Sequence, residues 1–341
     1  MRTMIYSLLG IVCGLWATPL LAQHSFRVME YNVENLFDCR HDSLKQDTEF
    51  LPGSVRNWTY SRFQDKLDKI GKVILAAGKE QVPDLVGLCE VENDFCLKSL
   101  TRYSSLREAG YKYVMTSSPD ERGIDVALLY QPASFRLLIS QKIRIPSDSL
   151  GMRPTRDILY ASGRVVSGDT LDVFVCHLPS RVGGAEKTDP YRLWVARRIR
   201  QAADSVMAKR QNPRLIIMGD FNDYPDGKSL QEGLRVSTLS DEPDVCALYN
   251  LMENQQEGTY RYKGEWGVLD QMVVNGGLLQ PNVRTRTSKE KAAILRFPFL
   301  LEEDNVYGGE MPFRTYKGRR YHGGYSDHLP VLLELQVEEY K

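Results

Sequence analysis

The stretch "LIIMGDFNDYPDG", Leu215–Gly227, sets four apolar residues before a glycine, then spaces a carboxylate and a carboxamide two apart, Asp220 and Asn222, before a turn. A short apolar run rich in branched side chains and bounded by turn residues predicts a strand buried on both faces. The same grammar recurs along the chain. "FRVMEYN" (Phe26–Asn32), "DLVGLCE" (Asp84–Glu90), "IDVALLY" (Ile124–Tyr130), "LDVFVCH" (Leu171–His177), "RLIIMGD" (Arg214–Asp220), "VLDQMVV" (Val268–Val274) and "PVLLELQV" (Pro330–Val337) all read as strands. Helical spacing links Phe63, Leu67, Ile70, Ile74 and Ala77, and again Tyr191, Val195, Ile199, Ala202 and Val206. Strands at both ends with helices between predict a single α/β sandwich domain. The segment from about Asn275 to Tyr325 is dense in Arg, Lys, Tyr and Gly and is expected to supply long loops rather than core.

Several of these runs stop on a polar residue: Asn32, Glu90, His177 and Asp220. Carboxyl ends of strands in α/β folds form a crevice where ligands bind, so four such residues can converge; the alternative is that each caps a strand or opens a turn. Asp270 interrupts the apolar run of "GVLDQMVV", and a buried carboxylate is costly unless it is paired or bound to a metal. An edge strand with Asp270 facing solvent is the other reading. In "YSDHLPV" (Tyr325–Val331) Asp327 and His328 are adjacent, and on an extended segment they point to opposite faces. Asn, Glu and Asp without a matching Cys cluster form an oxygen-rich donor set. That set suits Mg²⁺, with Mn²⁺ or Ca²⁺ as alternatives, and argues against structural zinc. Combined with imidazoles and a carboxamide, such an ion points to hydrolysis of a phosphate ester.

The bulk numbers set limits. Of 341 residues 42% are hydrophobic, enough for a sizeable core. Residues 1–22, "MRTMIYSLLGIVCGLWATPLLA", carry one early arginine, a long apolar run and a small residue at the end, the pattern of a signal peptide cut after Ala22. An uncleaved membrane anchor is the alternative. Removing this leader takes away Arg2 and leaves one more acidic than basic side chain, so the chain has no basic excess for gripping long polyanions. Five cysteines remain, Cys39, Cys89, Cys96, Cys176 and Cys246, an odd and scattered set that makes no disulfide framework and no zinc spacing.

Taken in order, "MEYNVENLF", "DLVGLCEVEN", "RGIDVALLY", "VCHLPSR", "IMGDFND", "GVLDQMVV" and "YSDHLPV" resemble the endonuclease/exonuclease/phosphatase superfamily. It includes pancreatic-type deoxyribonucleases, apurinic-site endonucleases, inositol-polyphosphate 5-phosphatases and neutral sphingomyelinases. The resemblance covers the chain from about Phe26 to Val337. It implies a four-layer α/β sandwich, two packed mixed β-sheets flanked by helices, over residues 23–341. It further implies Glu90 as principal metal ligand, with Asn32 beside it and Asp327 as a further ligand. Asp220 would orient or deprotonate the attacking water, and Asn222 would hold a phosphate oxygen. Strand alternation would place these two on one face with Phe221 turned into the core. His328 would stabilise charge on the phosphate, Asp270 would orient His328 or a second ion, and His177 would donate toward the phosphate or leaving oxygen.

Apurinic endonucleases carry Asn where this chain has His177 and Tyr where it has Phe174, which disfavours abasic-site repair. Arg122, Arg153 and Arg156 fall where members place substrate-facing or site-bracing residues, and a solvated surface role is the alternative for Arg156. The loop "SRVGGAEKTDPYR" and the basic, aromatic "FRTYKGRRYHGG" flank the expected crevice, as clamps or as solvated loops. The expectation is an exported, periplasmic or secreted, metal-dependent phosphodiesterase, nuclease-like and possible as a partner of nucleic acid. A monomer without stable membrane association is expected once the leader is gone. A phosphatase or phospholipase C-like hydrolase of inositol phosphates, sugar phosphates or phospholipids is the alternative, and a non-catalytic phosphate-binding scaffold the remote one.

Overall fold

The computed structural model describes residues 23–78, 80–146 and 151–340, so the leader expected over residues 1–22 lies outside the described residues. In chain order the strands of the two large sheets are β1 (Gln23–Leu36), β2 (Leu85–Val91), β3 (Lys112–Met115), β4 (Asp125–Tyr130), β5 (Phe135–Ile143), β6 (Ile158–Val165) and β7 (Thr170–His177). They continue as β8 (Leu215–Asp220), β9 (Leu248–Asn250), β10 (Asp270–Asn275), β11 (Thr285–Arg286), β12 (Ala292–Ile294) and β13 (Val331–Glu338). Among the described residues three α-helices accompany them: α1 (Tyr60–Gly78), α2 (Asp94–Tyr103) and α3 (Ala185–Met207).

A seven-stranded sheet runs β11-β13-β1-β2-β4-β3, with β12 also paired to β13, and a six-stranded sheet runs β5-β6-β7-β8-β10-β9. Both are mixed. Each holds one parallel pair, β1 with β2 and β7 with β8, among antiparallel neighbours. A parallel pair needs a crossover, and α1 and α3 supply the two of them. The sheets stack face to face, as the α/β sandwich reading required.

Alternation along the central strands divides the core. Ile216 and Met218 of β8, with Val173 and Val175 of β7, join the large cluster between the sheets. Leu215 and Ile217, with Phe174 and Cys176, pack on the other side under α3. The expected stripe of α1 is buried at all five positions. On α3 the stripe is turned by about one residue: Val195 and Ile199 are buried, but Ala203 and Met207 occupy the places expected for Ala202 and Val206. The 275–325 region is also more ordered than expected, because β11 and β12 pair onto β13. The five cysteines outside the leader are free.

Two glycines let the parallel pairs approach what lies beside them. A Cβ at Gly87 of β2 would sit 2.8 Å from Met218 of the opposite sheet. At Gly219, φ is +145° and a Cβ would lie 1.8 Å from the Cys176 carbonyl oxygen, which is backbone and cannot give. Gly219→Ala is therefore expected to destabilise by about 4 kcal/mol or more, or to prevent folding, measured as the shift of a chemical denaturation midpoint.

Candidate active site

The site begins as a row in one sheet. In register, His177 at the end of β7 lies beside Asp220 at the end of β8, and Asp220 lies beside Asp270 at the start of β10. Their positions share the parity of Val175, Met218 and Met272, so all three turn toward the opposite sheet. From that sheet come Asn32 on β1 and Glu90 on β2, the other parallel pair. The carboxyl ends of four parallel strands thus meet in one place, the geometry that makes a crevice in α/β folds.

Hydrogen bonds then fix the side chains. Asp220 Oδ2 accepts from Asn32 Nδ2 at 3.0 Å and from Asn222 Nδ2 at 3.2 Å, while Oδ1 accepts from the Asn222 amide at 2.7 Å. Asn222 and Asp220 do share a face, with Phe221 fully buried between them. The cause is not strand alternation, however: β8 ends at Asp220, and Asn222 takes a left-handed φ of 48° in a turn closed by the Asp220 carboxylate. Ser326 Oγ donates to the Asn32 carbonyl at 2.7 Å and accepts from the His328 amide at 3.1 Å, which seats His328 over the row. His328 Nδ1 donates to Asp270 Oδ2 at 2.7 Å. Its Nε2 faces Asp220 Oδ2 at 3.9 Å, and the Tyr260 ring lies 4.9 Å from the imidazole. The Asn32–Asp220 bond crosses from one sheet to the other, and the His328–Asp270 bond ties the segment leading into β13 to the six-stranded sheet.

Glu90 is placed by strain. A register shift in the pairing of β2 lets it adopt φ 67°, and its Oε2 accepts from the Asn35 amide at 2.9 Å. Glu34, Asn35 and Asn222 are also left-handed. Such conformations persist only where the surroundings enforce them, and they cluster at functional sites. His177 Nε2 lies 3.5 Å from Asp220 Oδ2 and 3.9 Å from Glu90 Oε1.

The electrostatics separate the titratable groups. Burial pushes the Asp220 carboxyl up to about 7; His328 opposes this, and the Asp270 and Glu90 carboxylates add to it. Burial pulls His328 down, but the Asp270 and Asp220 carboxylates outweigh it and raise the imidazole well above its usual range. His177 is held well below that range by burial, then by Arg156, Arg122 and His328. The surroundings thus favour charge on His328 and disfavour it on His177, the separation of environments that acid–base chemistry uses.

These groups form the floor of a cleft of about 670 Å³, with Arg122, Arg181, Tyr224, Tyr260, Tyr262 and Asp327 on its rim. Arg122 therefore lines the cleft. Arg153 does not: it is exposed and outside the cleft lining. Three residues on, Arg156 is buried instead, donating to the Leu178 carbonyl at 2.5 Å and to Asp120 at 3.3 Å, and it braces the end of β7. Asp327 lines the cleft while accepting from Arg314 Nη2 at 2.8 Å, and Arg314 also reaches Glu34 at 3.4 Å. Asn32 has both amide atoms engaged, Nδ2 on Asp220 and Oδ1 on the Glu34 amide at 3.0 Å, so its first task is to orient Asp220.

Glu30 was not singled out from the sequence. It is fully buried two residues before Asn32, and burial followed by the Asp270 and Asp220 charges raises its carboxyl well above the usual range. The signal was present, since Glu30 interrupts "FRVMEYN" as Asp270 interrupts its own run.

Asp220, Asp270 and His328 each offer a ligand-capable atom within 4.8 Å of the others, so a possible acidic and histidine metal site is present. A carboxyl poised near neutrality beside an imidazole held by a second carboxylate is an arrangement that hydrolysis can use. The chain belongs to the Endonuclease/Exonuclease/phosphatase family, whose match spans residues 27–337, and it is a phosphoester hydrolase as members of that family are.

Solved structures agree on the fold. A mannosyl-6-phosphatase from Bacteroides thetaiotaomicron is 16% identical, with 91% of this chain and 99% of that chain covered and a TM-score of 0.58. The human Nocturnin catalytic domain with bound sulfate is 17% identical over 91% and 93%, with a TM-score of 0.56. D. rerio TDP2 complexed with a single-strand DNA product is 16% identical over 91% and 98%, with a TM-score of 0.55. No curated protein matches the sequence.

Proposed function

We propose that this protein is an exported, divalent-metal-dependent phosphodiesterase that attacks phosphorus in line with water. The observation that carries the reading is the convergence of Asp220, Asn222, His177, His328 and Glu90 on one cleft floor. Asp220, poised near neutrality and held by Asn32 and Asn222, takes the proton of the attacking water. His328, kept charged by Asp270, faces the developing charge on the phosphoryl oxygens, and the carboxamide of Asn222 holds a phosphate oxygen. His177, neutral, donates toward the leaving oxygen.

The donor set fits a hard divalent cation. Glu90 and Asp327 bring carboxylates to the cleft and Asn32 lies alongside, whereas His328 Nδ1 and Asp270 already bind each other. Glu90 would hold Mg²⁺ or Mn²⁺ with Asp327 as a further donor, while Asn32 orients Asp220 beside them. Such an ion would polarise the phosphoryl oxygen. A second reading, a monoesterase of small organic phosphates, is favoured by the cleft volume, which lies in the range of small-molecule pockets.

A substrate panel tests both. Bis-p-nitrophenyl phosphate is expected to be cleaved by the purified protein, to survive in EDTA, and to be cleaved again when Mg²⁺ or Mn²⁺ is restored. Turnover at the full rate after chelation would remove the metal from the proposal. Nicking of duplex DNA or RNA, set against phosphate release from sugar and inositol phosphates, separates diesterase from monoesterase.

A further inference from the structure

Arg181, on the loop between β7 and α3, has a donor that the fold engages only through a long ion pair to Asp223. Its guanidinium lies 4.5 Å over the Tyr224 ring at the rim of the cleft. Nη1 is shielded from solvent and makes no hydrogen bond. The Asp223 Oδ1 carboxylate oxygen is 4.0 Å away, beyond hydrogen-bond reach, and already accepts from the Tyr224 amide at 3.1 Å. The side chain is 32% exposed and its ion pair with Asp223 is loose, so an anion that comes within hydrogen-bond reach of the guanidinium gains more than that carboxylate does. A guanidinium held flat on a ring has already lost the freedom that binding would otherwise remove, and its planar fork matches phosphate oxygens.

The neighbouring backbone favours the same charge. Gly183 and Gly184 take φ of 92° and 114°, and α3, 23 residues long, starts at Ala185 without a side-chain cap. Gly184 and Ala185 both line the cleft, so the positive end of α3 faces the space beside Arg181. The catalytic floor already accounts for one phosphate, with Asp220, Asn222 and His328. Arg181 stands apart from these on the rim.

We infer that Arg181, backed by Tyr224 and the first turn of α3, binds a second phosphate of the substrate and makes the enzyme select phosphoesters that carry two. This rests on the hydrolase reading above. The second phosphate can be the neighbour in a nucleotide chain or the other phosphate of a bisphosphorylated sugar.

Two matched pairs distinguish these sources: thymidine 5′-(p-nitrophenyl phosphate) with and without a 3′-phosphate, and glucose 1,6-bisphosphate against glucose 6-phosphate. In one pair the doubly phosphorylated member is expected to have the higher kcat/KM by about tenfold or more, the effect of one or two charge-assisted hydrogen bonds. That ratio should fall toward one in Arg181→Ala. Tyr224→Leu, which removes the ring under the guanidinium, should lower it as well and carries the test if the first variant does not fold. Equal kcat/KM within both pairs, or a preference that both variants retain, overturns the subsite. Bis-p-nitrophenyl phosphate, with its single phosphate, reports the chemistry alone. Its turnover without any preference in the pairs removes the subsite and leaves the hydrolase; no turnover of any compound removes both.

Discussion

Asp220→Asn is expected to lower kcat by about 10²- to 10⁴-fold, the range for removing a positioned general base, while the protein still folds. The carboxamide keeps one acceptor oxygen, enough for the Asn32 and Asn222 side-chain donors or for the Asn222 amide, so one side of this network is lost in the variant. What disappears is a charge that the fold disfavours. The folded-state pKa of about 7 lies above the ordinary carboxylate value, raised by burial. The sign follows from linkage. A raised pKa contributes stability that is fully present below the unfolded value and is lost as the pH rises through about 7. Above that pH the parent carries an ionised, buried Asp220 and the variant does not, so the difference in melting temperature should favour the variant most on the alkaline side. Paired kinetics and melting at several pH values check both halves. Parental turnover by the variant would remove Asp220 from its role.

His328→Ala should cost a comparable factor, about 10²- to 10⁴-fold in kcat, because it removes the charge facing the phosphate. Asp270→Asn should also be severe although it leaves the imidazole in place. Asp270 holds the Nδ1 proton at 2.7 Å, and its carboxylate is the first of the neighbours that raise His328. Two residues that act as a unit are not additive, so the double variant should be little worse than His328→Ala alone. Imidazole NMR supplies a readout free of kinetics. Between about pH 5 and 8, where an ordinary histidine titrates, His328 should stay protonated in the parent and His177 should stay neutral. In Asp270→Asn the His328 titration should move to lower pH. An unmoved titration would mean that Asp270 is only a packing residue.

The elements of this site were legible where composition carried them. Polar residues closing apolar runs marked Asn32, Glu90, His177 and Asp220, because a strand end is a property of a few consecutive residues. Asp270 stood out since its apolar neighbours announced burial, and Glu30 carried the same mark. Contacts between distant segments were not legible. Nothing in "FRTYKGRRYHGG" says that Arg314 reaches Asp327 and Glu34, and nothing near Arg153 says that Arg156 turns inward instead. The register of α3 was missed by one residue because arginines at 192, 197, 198 and 200 blur its apolar stripe, and Arg192 is itself buried against the loop carbonyls of Pro179 and Ala185. The Asp220–Asn222 spacing gave the right face for the wrong reason, since a left-handed turn and an alternating strand can deliver the same juxtaposition.

The two sheets divide the machinery unevenly, and neither owns a working half. Asn32 and Glu90 come with one layer, His177, Asp220 and Asp270 with the other; Asn32 meets Asp220 only across the gap, and His328 reaches Asp270 from the segment that leads into β13. On the proposed roles, the pocket is whole only where both layers and that segment are docked together.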